Sequence, residues 1–229
     1  MKRLALVGLV VLAGCAGNID PPWQLSHERI IAVRATPPHV VAGAQSTIDV
    51  LVGHVGSDGS NVQVEPPDSA SVTSPVSLMS ILSGDTLTAP SDAELDQVRS
   101  ELGLGSADPV PVELQIEADG FEALKTVFVG DSGDNPTLDG LMINGAVPPS
   151  DPAQTIVVPA DVDVPLFVNA AETVDNINWL TSCGTMNDYN LHDAFVHVKP
   201  TDPQIGQLAL VVRDESGGVA WQYWSIAAQ

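Results

Sequence analysis

The sequence predicts an all-β protein built from two tandem antiparallel β-sandwiches, the first of which carries a short helical insertion. Three observations support this. Short runs of alternating apolar and polar residues recur along the chain, separated by Gly, Pro, Asn and Asp. The length, 229 residues, suits two domains of about 100 residues each. One outline of strands and breaks occurs twice, over residues 28–130 and 135–229.

The first fifteen residues have the pattern of a secretory signal. Lys2 and Arg3 give a positively charged start, and residues 4–12 follow as an uncharged apolar stretch. A stretch of this length is too short to cross a bilayer as a permanent helix. The chain is therefore expected to be exported and to work outside the cytoplasm.

The end of this signal, Leu12-Ala13-Gly14-Cys15, resembles the lipobox of bacterial lipoproteins. The resemblance implies that a signal peptide of residues 1–14 is removed and that Cys15 is acylated on its sulfur and its new amino group. Residues 15–27 would then be a lipidated tether. Ala16, where an aspartate favours the inner membrane, implies an anchor in the outer membrane, on its periplasmic or its cell-surface face. An ordinary cleaved signal with an incidental cysteine is the alternative.

Beyond the signal, the chain is strongly acidic. Residues 15–229 contain six Lys and Arg against 29 Asp and Glu. Such a surface is repelled by polyphosphate backbones and by anionic headgroups, so nucleic acid is excluded as a partner and the lipid must attach the protein to the membrane. A solvated surface is the simplest explanation of the acidity. Once Cys15 is acylated, Cys183 has no intramolecular partner, so the domains depend on core packing rather than on disulfides.

The first domain is predicted over residues 28–130. Its strands are predicted at 30–34, 46–52, 62–64, 112–116 and 124–129. Pro37-Pro38 ends the first of these strands, and Asp119-Gly120 supplies the turn of the last hairpin.

A partly helical insertion is predicted within this domain at residues 68–108. Ser91 and Glu94 have the spacing of a capping box, and Gly103 is the expected end of the helix. One face of that helix carries Leu95, Val98 and Leu102. A further helical turn is predicted at residues 78–82. The insertion is expected to cover apolar surface of one sheet.

The second domain is predicted over residues 137–229, after a polar linker at 131–136. Its strands are predicted at 138–143, 155–158, 162–168, 177–181, 195–198, 208–212 and 219–226. Pro148-Pro149 breaks the opening run as Pro37-Pro38 does in the first domain. The sequence therefore predicts an internal duplication.

The first segment of each domain and the start of the last strand of the second domain resemble the Ig-like or PKD-like domains of Gram-negative surface lipoproteins. The segments are Ile30-Ile31-Ala32-Val33-Arg34-Ala35-Thr36-Pro37, Asn135-Pro136-Thr137-Leu138 and Gly217-Gly218-Val219-Ala220-Trp221. The resemblance implies two tandem Ig-like sandwiches, with Trp179 as the core tryptophan of the third strand of the second one. The Ig disulfide is missing, and the first domain has no matching tryptophan. Such domains imply spacing and binding rather than catalysis.

The linker contains residue types that suit two kinds of chemistry. Gly130-Asp131-Ser132-Gly133 looks like the nucleophile motif of trypsin-like proteases, but Asp134 replaces the next glycine and no upstream histidine has the expected surroundings. Asp131, Asp134 and Asn135 offer oxygen ligands for Ca²⁺ between two Ig-like units. EF-hand spacing is absent, and a solvated turn explains the residues equally well. No cofactor is predicted.

Cys183 lies near other residues that serve catalysis or zinc binding elsewhere. With His192, Asp188 and Asp193 it has the residue types of a Cys–His hydrolase, and with His192 and His197 those of a zinc site. Neither the surrounding motif nor the usual ligand spacing is present. Because free cysteines usually pack as small apolar side chains, no catalytic residue is predicted.

The last predicted strand contains Trp221-Gln222-Tyr223-Trp224. Because side chains alternate along a strand, Trp221 and Tyr223 point to one side and Trp224 to the other. One set lines the core, and the other covers the neighbouring domain or contacts a partner. These three residues are the candidate binding surface, for a glycan or a protein.

The sequence thus predicts a non-catalytic binding or structural module, anchored in the outer membrane by its lipid, with an envelope protein or glycan as partner. Two alternatives remain open at this point. One is a calcium-stiffened, adhesin-like surface protein. The other is a periplasmic hydrolase that uses Cys183 or Ser132.

Overall fold

The computed structural model describes residues 20–55, 62–74, 81–169 and 174–229. The predicted signal, Cys15 and residues 78–80 of the predicted helical turn lie outside these ranges. Within them, no helix has the length and apolar character needed to cross a membrane. Strands dominate the described chain, as the alternating pattern predicts.

The elements are numbered in chain order. In domain 1 they are β1 (Arg29–Thr36), β2 (His39–Val40), β3 (Gln45–His54), β4 (Gln63–Glu65), β5 (Ala70–Thr73), β6 (Ile81–Ser83), β7 (Thr86–Thr88), α1 (Asp92–Leu102), β8 (Val110–Ala118) and β9 (Phe121–Val129). In domain 2 they are β10 (Asp139–Ile143), β11 (Thr155–Val158), β12 (Asp163–Asn169), β13 (Val174–Thr181), β14 (Thr185–Asn187), β15 (Asp193–His197), β16 (Ile205–Asp214) and β17 (Val219–Ala228).

Each domain is a sandwich of two sheets, and the strand order is the same in both domains. In domain 1 one sheet runs β1-β3-β7-β6, with β4 added to β3, and the other runs β2-β9-β8-β5. In domain 2 the sheets run β10-β12-β15-β14 and β11-β17-β16-β13. The predicted duplication is confirmed, and the fold class is two tandem Ig-like β-sandwiches.

The proline pairs divide the opening strand of each domain between its two sheets. Because proline has no backbone N–H, two consecutive prolines leave two positions without a donor and interrupt strand pairing. After Pro37-Pro38 the chain leaves β1 and forms β2, which pairs in parallel with the end of β9. Pro148-Pro149 lies in the longer connection between β10 and β11, and β11 pairs in parallel with β17. Two residues are too few for alternation to indicate β2 in the sequence.

Alternation along the strands places one face of each in a core. In β8 the buried residues are Val110, Val112, Leu114, Ile116 and Ala118, and the residues between them are exposed. In domain 2 the side chain of Trp179 is completely buried, and its indole Nε1 donates to the Leu191 carbonyl at 3.2 Å. A buried indole needs such an acceptor, so the loop before β15 satisfies the tryptophan of β13.

The capped helix is confirmed at its predicted ends. The backbone N–H and the hydroxyl of Ser91 both donate to the Glu94 carboxylate, at 2.8 and 2.7 Å. The helix ends at Gly103, which adopts the left-handed conformation with φ of 71°. Leu95 is fully buried in the domain core, whereas Leu102, predicted on the same face, is 56% exposed.

The remainder of the insertion contains strands. β5 pairs with β8 in one sheet, and the β6–β7 hairpin extends the other sheet from β3. The helical turn predicted at residues 78–82 is therefore wrong for Ile81 and Leu82. Leu82 pairs with Leu87 across the hairpin, and Leu87 is fully buried, so sheet packing determines the conformation there.

The two domains pack face to face. The outer faces of β1, β3 and β4 meet the outer faces of β13, β16 and β17, and the buried side chains form one cluster: Leu25, Ile31, Ala32, Leu51, Val62, Val64, Leu180, Ala209, Val211 and Val219. Leu51 lies between Val50 and Val52, which face the core of domain 1. Both faces of β3 are therefore buried from Val50 to Gly53, and the interface is an apolar core between the two sandwiches.

The segment before β1 packs on domain 2. The Leu25 N–H donates to the Thr181 carbonyl at 2.8 Å, and the Thr181 N–H donates to the Trp23 carbonyl at 3.0 Å. Leu25 is 3% exposed, and Trp23 packs against the domain 2 core. Residues 23–25 belong to the tether predicted over residues 15–27, and they are packed against domain 2. The apolar side chains on either side of Gln24 explain this, because they give the segment the periodicity of a strand.

Candidate functional site

The three aromatic residues of β17 divide between two environments. Trp224 is completely buried in the core of domain 2, and its indole Nε1 donates to the Pro149 carbonyl at 2.9 Å. It therefore offers no surface to a partner, and the candidate binding surface reduces to Trp221 and Tyr223. Strand alternation is the reason, since it turns those two side chains toward domain 1.

Trp221 is half-buried at the interface between the two domains, the domain joint, and it lies under a cation. The Arg34 guanidinium lies 4.2 Å from the centroid of the indole ring, and Arg34 Nη2 pairs with Asp49 Oδ2 at 3.1 Å. A stacked guanidinium stabilises such a contact by roughly 0.5–2 kcal/mol, depending on its desolvation. Because Arg34 and Asp49 belong to domain 1 and Trp221 to domain 2, this stack joins the domains. It also covers the ring face on which a sugar would otherwise stack.

Tyr223 lies at the joint beside Trp221 and is also half-buried. Burial, with a smaller contribution from the nearby carboxylate of Glu65, raises the pKa of its phenol. The phenol therefore stays neutral at physiological pH.

A groove of about 770 Å³ opens beside these two aromatic residues and is lined by both domains. Its polar groups include the carboxylates of Asp49 and Asp85 and the hydroxyl of Ser71, and its apolar lining includes Val72 and Leu82. Carboxylate and hydroxyl acceptors beside aromatic edges match a ligand rich in O–H or N–H donors, such as a sugar or a peptide segment.

Asn135, predicted as a calcium ligand, connects the domains instead. Its Nδ2 donates to the Ala35 carbonyl of β1 at 2.8 Å, and its Oδ1 accepts from the Val219 N–H of β17 at 2.8 Å. The amide oxygen that would bind a cation is thus already engaged. One side chain ties the linker to the edge of each sandwich.

The two linker aspartates do not share this arrangement. Asp131 Oδ1 accepts from the Ser132 N–H at 2.7 Å, and its Oδ2 lies 3.4 Å from Nδ1 of His39. Asp134 is exposed. Across the described ranges, no group of three or more His, Cys, Asp or Glu side chains is placed to hold a metal ion.

The two candidate nucleophiles lie in unrelated places. Ser132 is exposed in the linker, whereas Cys183 is 1% exposed in the core of domain 2. Burial raises the pKa of the Cys183 thiol, and the Thr181 hydroxyl lies 3.7 Å from its sulfur. A buried thiol with a raised pKa is a poor nucleophile.

The histidines suggested as partners of Cys183 bind elsewhere. His192 Nδ1 lies 3.0 Å from the Val168 carbonyl, and His197 Nδ1 lies 2.8 Å from Asp163 Oδ1. The structure does not bring the predicted Cys–His or zinc residues together.

The basic residues of the domain joint are functional candidates that sequence reasoning missed. Arg213 Nη2 donates to the Ile31 carbonyl at 2.9 Å, and Lys125 Nζ donates to the Gly217 carbonyl, so both connect the domains. Burial, only partly offset by the nearby Asp214 carboxylate, lowers the pKa of Lys125 to about 8. Their scarcity was the signal that the sequence offered, because residues 15–229 contain only six basic residues. The structure brings three of them, Arg29, Lys125 and Arg213, to one cleft.

No protein-family model matches this chain, and no curated protein matches it. Among solved structures, the chain is similar to domains 4 and 5 of the S-layer protein SbsC, with 9% identity, a TM-score of 0.28, and coverage of 87% of this chain and 98% of that one. It is similar to the N-terminal Ig1-2 module of the Drosophila receptor protein tyrosine phosphatase DLAR, with 13% identity, a TM-score of 0.30, and coverage of 89% and 99%. The fibronectin(III)-like modules of Clostridium thermocellum CbhA are 12% identical at a TM-score of 0.27, over 88% of this chain and 94% of theirs.

Proposed function

We propose that this protein is a non-catalytic binding module, held at the outer membrane by acyl chains on Cys15, whose two domains act as one rigid unit. The observation that carries the proposal is the domain joint. Its groove is lined by both domains, and the domains are fixed to each other by a buried apolar cluster and by hydrogen bonds from Asn135, Lys125 and Arg213. A rigid joint supports binding because a ligand there meets a preformed surface.

The arrangement of nucleophiles supports a non-catalytic role. Cys183 is buried, and His192 and His197 interact with other groups. A nucleophile needs a base within hydrogen-bonding reach, which these residues do not supply for Cys183. A hydrolase is therefore the weaker proposal. It predicts covalent, saturable labelling by thiol- or serine-directed activity probes, and the binding module predicts none.

The groove can be tested with a photo-cross-linking amino acid placed at Ser71 or Asp85, which are exposed on its lining. Expressed in the cell of origin, these variants are expected to yield one discrete cross-linked species. The matched control places the same amino acid at Val147, which is 82% exposed in domain 2 and is not a groove residue. Equal cross-linking from groove and control positions would contradict the proposal.

The anchor is tested separately. The full chain is expected to incorporate an alkyne fatty-acid analogue and to fractionate with the outer membrane, and Cys15→Ala is expected to abolish both. Because several acyl chains, at about 0.8 kcal/mol per buried CH₂, are needed for stable attachment, loss of acylation should release the protein from the membrane. Labelling that persists in Cys15→Ala would remove the proposed anchor.

A further inference from the structure

A second cleft, distinct from the groove, brings together half of the few basic residues of this acidic protein. It has a volume of about 560 Å³, and Arg29, Lys125 and Arg213 line it. These are three of the six basic residues in residues 15–229, which carry 29 acidic ones. A smaller recess of about 190 Å³ continues from it, since Arg29 and Arg213 line both. We call this continuous feature the cationic cleft.

The arginines of the cationic cleft retain donors for a ligand. Within the described residues, Arg213 Nη2 donates to the Ile31 carbonyl and Arg29 Nη2 donates to the Gln24 carbonyl, at 2.9 and 3.2 Å. A guanidinium has five N–H donors in a planar fork that matches phosphate oxygens, so each arginine keeps most of its hydrogen-bonding capacity.

Three carboxylates lie close to these cations. Asp214 Oδ1 accepts from the Ser216 hydroxyl and the Gly218 N–H, at 2.8 and 2.7 Å, and so belongs to the β16–β17 turn. Asp20 accepts from the Ser26 hydroxyl at 2.6 Å. Glu122 is exposed at the edge of the cleft. The cleft is therefore close to neutral, while the remaining surface is strongly negative.

The position of the cationic cleft relative to the anchor suggests its ligand. Pro22 lines the recess, and the residues that follow it, Trp23 to Leu25, are fixed to β13 by backbone hydrogen bonds. Cys15 precedes Pro22 by seven residues, a span of at most about 25 Å. If Cys15 is acylated, as the proposed function requires, the cleft lies within that distance of the bilayer surface.

We infer that the cationic cleft binds the phosphate of an anionic lipid headgroup and thereby docks the protein body on the membrane in one orientation. The acyl chains alone leave a protein with 29 acidic residues repelled by an anionic leaflet and free to turn about its tether. Arg29 and Arg213 supply the guanidinium donors, and Lys125 adds charge behind them. This inference rests on acylation of Cys15 but concerns a different surface.

The test uses the acylated full-length protein in vesicles of phosphatidylcholine, with or without phosphatidylglycerol. A fluorophore is attached through Leu124→Cys, a cleft residue that is 66% exposed, while Cys183 is buried. A nitroxide quencher on the headgroups then reports docking. Stronger quenching is expected when phosphatidylglycerol is present. Because each arginine contributes about a fivefold preference at an anionic surface, Arg29→Gln with Arg213→Gln should lower the docked-to-undocked ratio by roughly 30-fold.

Glu122→Gln provides the matched variant, because it removes a negative charge from an exposed position and should leave the fold intact. It is expected to increase quenching on the doped vesicles. The inference is overturned if the protein with its natural cleft is quenched equally on both kinds of vesicle. It is also overturned if that protein, the double arginine variant and Glu122→Gln are all quenched equally. An equal rise in quenching when inorganic phosphate is added to vesicles of phosphatidylcholine alone also overturns the inference, because the cleft would then respond to a free anion. Failure of the protein to float with any vesicle is a separate result, and it tells against acylation.

Discussion

Asn135→Ala is expected to weaken the joint between the domains by about 2–6 kcal/mol. The substitution removes two hydrogen bonds of 2.8 Å, to the Ala35 carbonyl and from the Val219 N–H. Both partner residues are buried, at 0% and 5% exposure, so their backbone groups would lose their partner without gaining full access to water. A buried polar group left unpaired costs about 1–3 kcal/mol, which gives the range stated for two such groups.

Thermal unfolding followed by circular dichroism is the assay. For a chain of this size, 1 kcal/mol lowers Tm by roughly 2–4 °C, so the expected decrease is roughly 4–24 °C. Asp134→Ala is the control, because Asp134 is the exposed neighbour in the same linker and its loss should change stability by less than about 0.5 kcal/mol. If the two variants melt at the same temperature, Asn135 does not hold the joint in this way.

The same thermal unfolding experiment with millimolar Ca²⁺ distinguishes a hydrogen-bonding role of Asn135 from a calcium-binding role. If Asn135 is occupied by Ala35 and Val219, added Ca²⁺ should leave the melting temperature of the unsubstituted protein unchanged. A rise with Ca²⁺ that Asn135→Ala abolishes would instead support the calcium-stiffened alternative and would require the amide to change its partners.

Other side chains give predictions of the same kind. Arg99, 6% exposed in α1, donates to the carbonyls of Asp108 and Gly130 at 2.8 and 3.3 Å, so Arg99→Met should cost about 2–4 kcal/mol in urea denaturation; an unchanged midpoint would contradict this. Lys125 has a pKa of about 8 in the folded protein against an ordinary 10.5. The unfolded chain therefore binds more protons between these values, and the stability of the unsubstituted protein relative to Lys125→Met should rise with pH across that window; a flat or falling difference would refute the burial argument. Cys183 should resist iodoacetamide in the native protein and react in urea, because burial raises the pKa of its thiol.

The parts of the fold that could be predicted from the sequence are those with a strong local signal. The hairpin of β8 and β9 was indicated by clean alternation and by Asp119-Gly120, and α1 by its capping box and its final glycine. The strands β5, β6, β7 and β14 are three or four residues long, and their conformation depends on pairing with distant partners. Local pattern could not indicate them.

The sequence of β16 indicated that the domains pack face to face, but interpreting the strand by alternation alone hid this. In β16, Leu208, Leu210 and Val212 fill the core of domain 2, while Ala209 and Val211 between them fill the joint. The run is thus apolar on both faces, which is typical of a strand covered on both sides. At the candidate site, the sequence indicated Trp221 and Tyr223, but Arg34 and Asp49 reach it from domain 1 and needed the structure to be placed.

The attachment of residues 23–25 to β13 determines how the molecule bears mechanical load. A pull on the amino-terminal end is resisted first by the two backbone hydrogen bonds with Thr181 and by the buried side chain of Leu25. Tension therefore enters the carboxyl-terminal sandwich, although the amino-terminal sandwich comes next along the chain. Domain 1 carries none of that force until the contacts of residues 23–25 with β13 break.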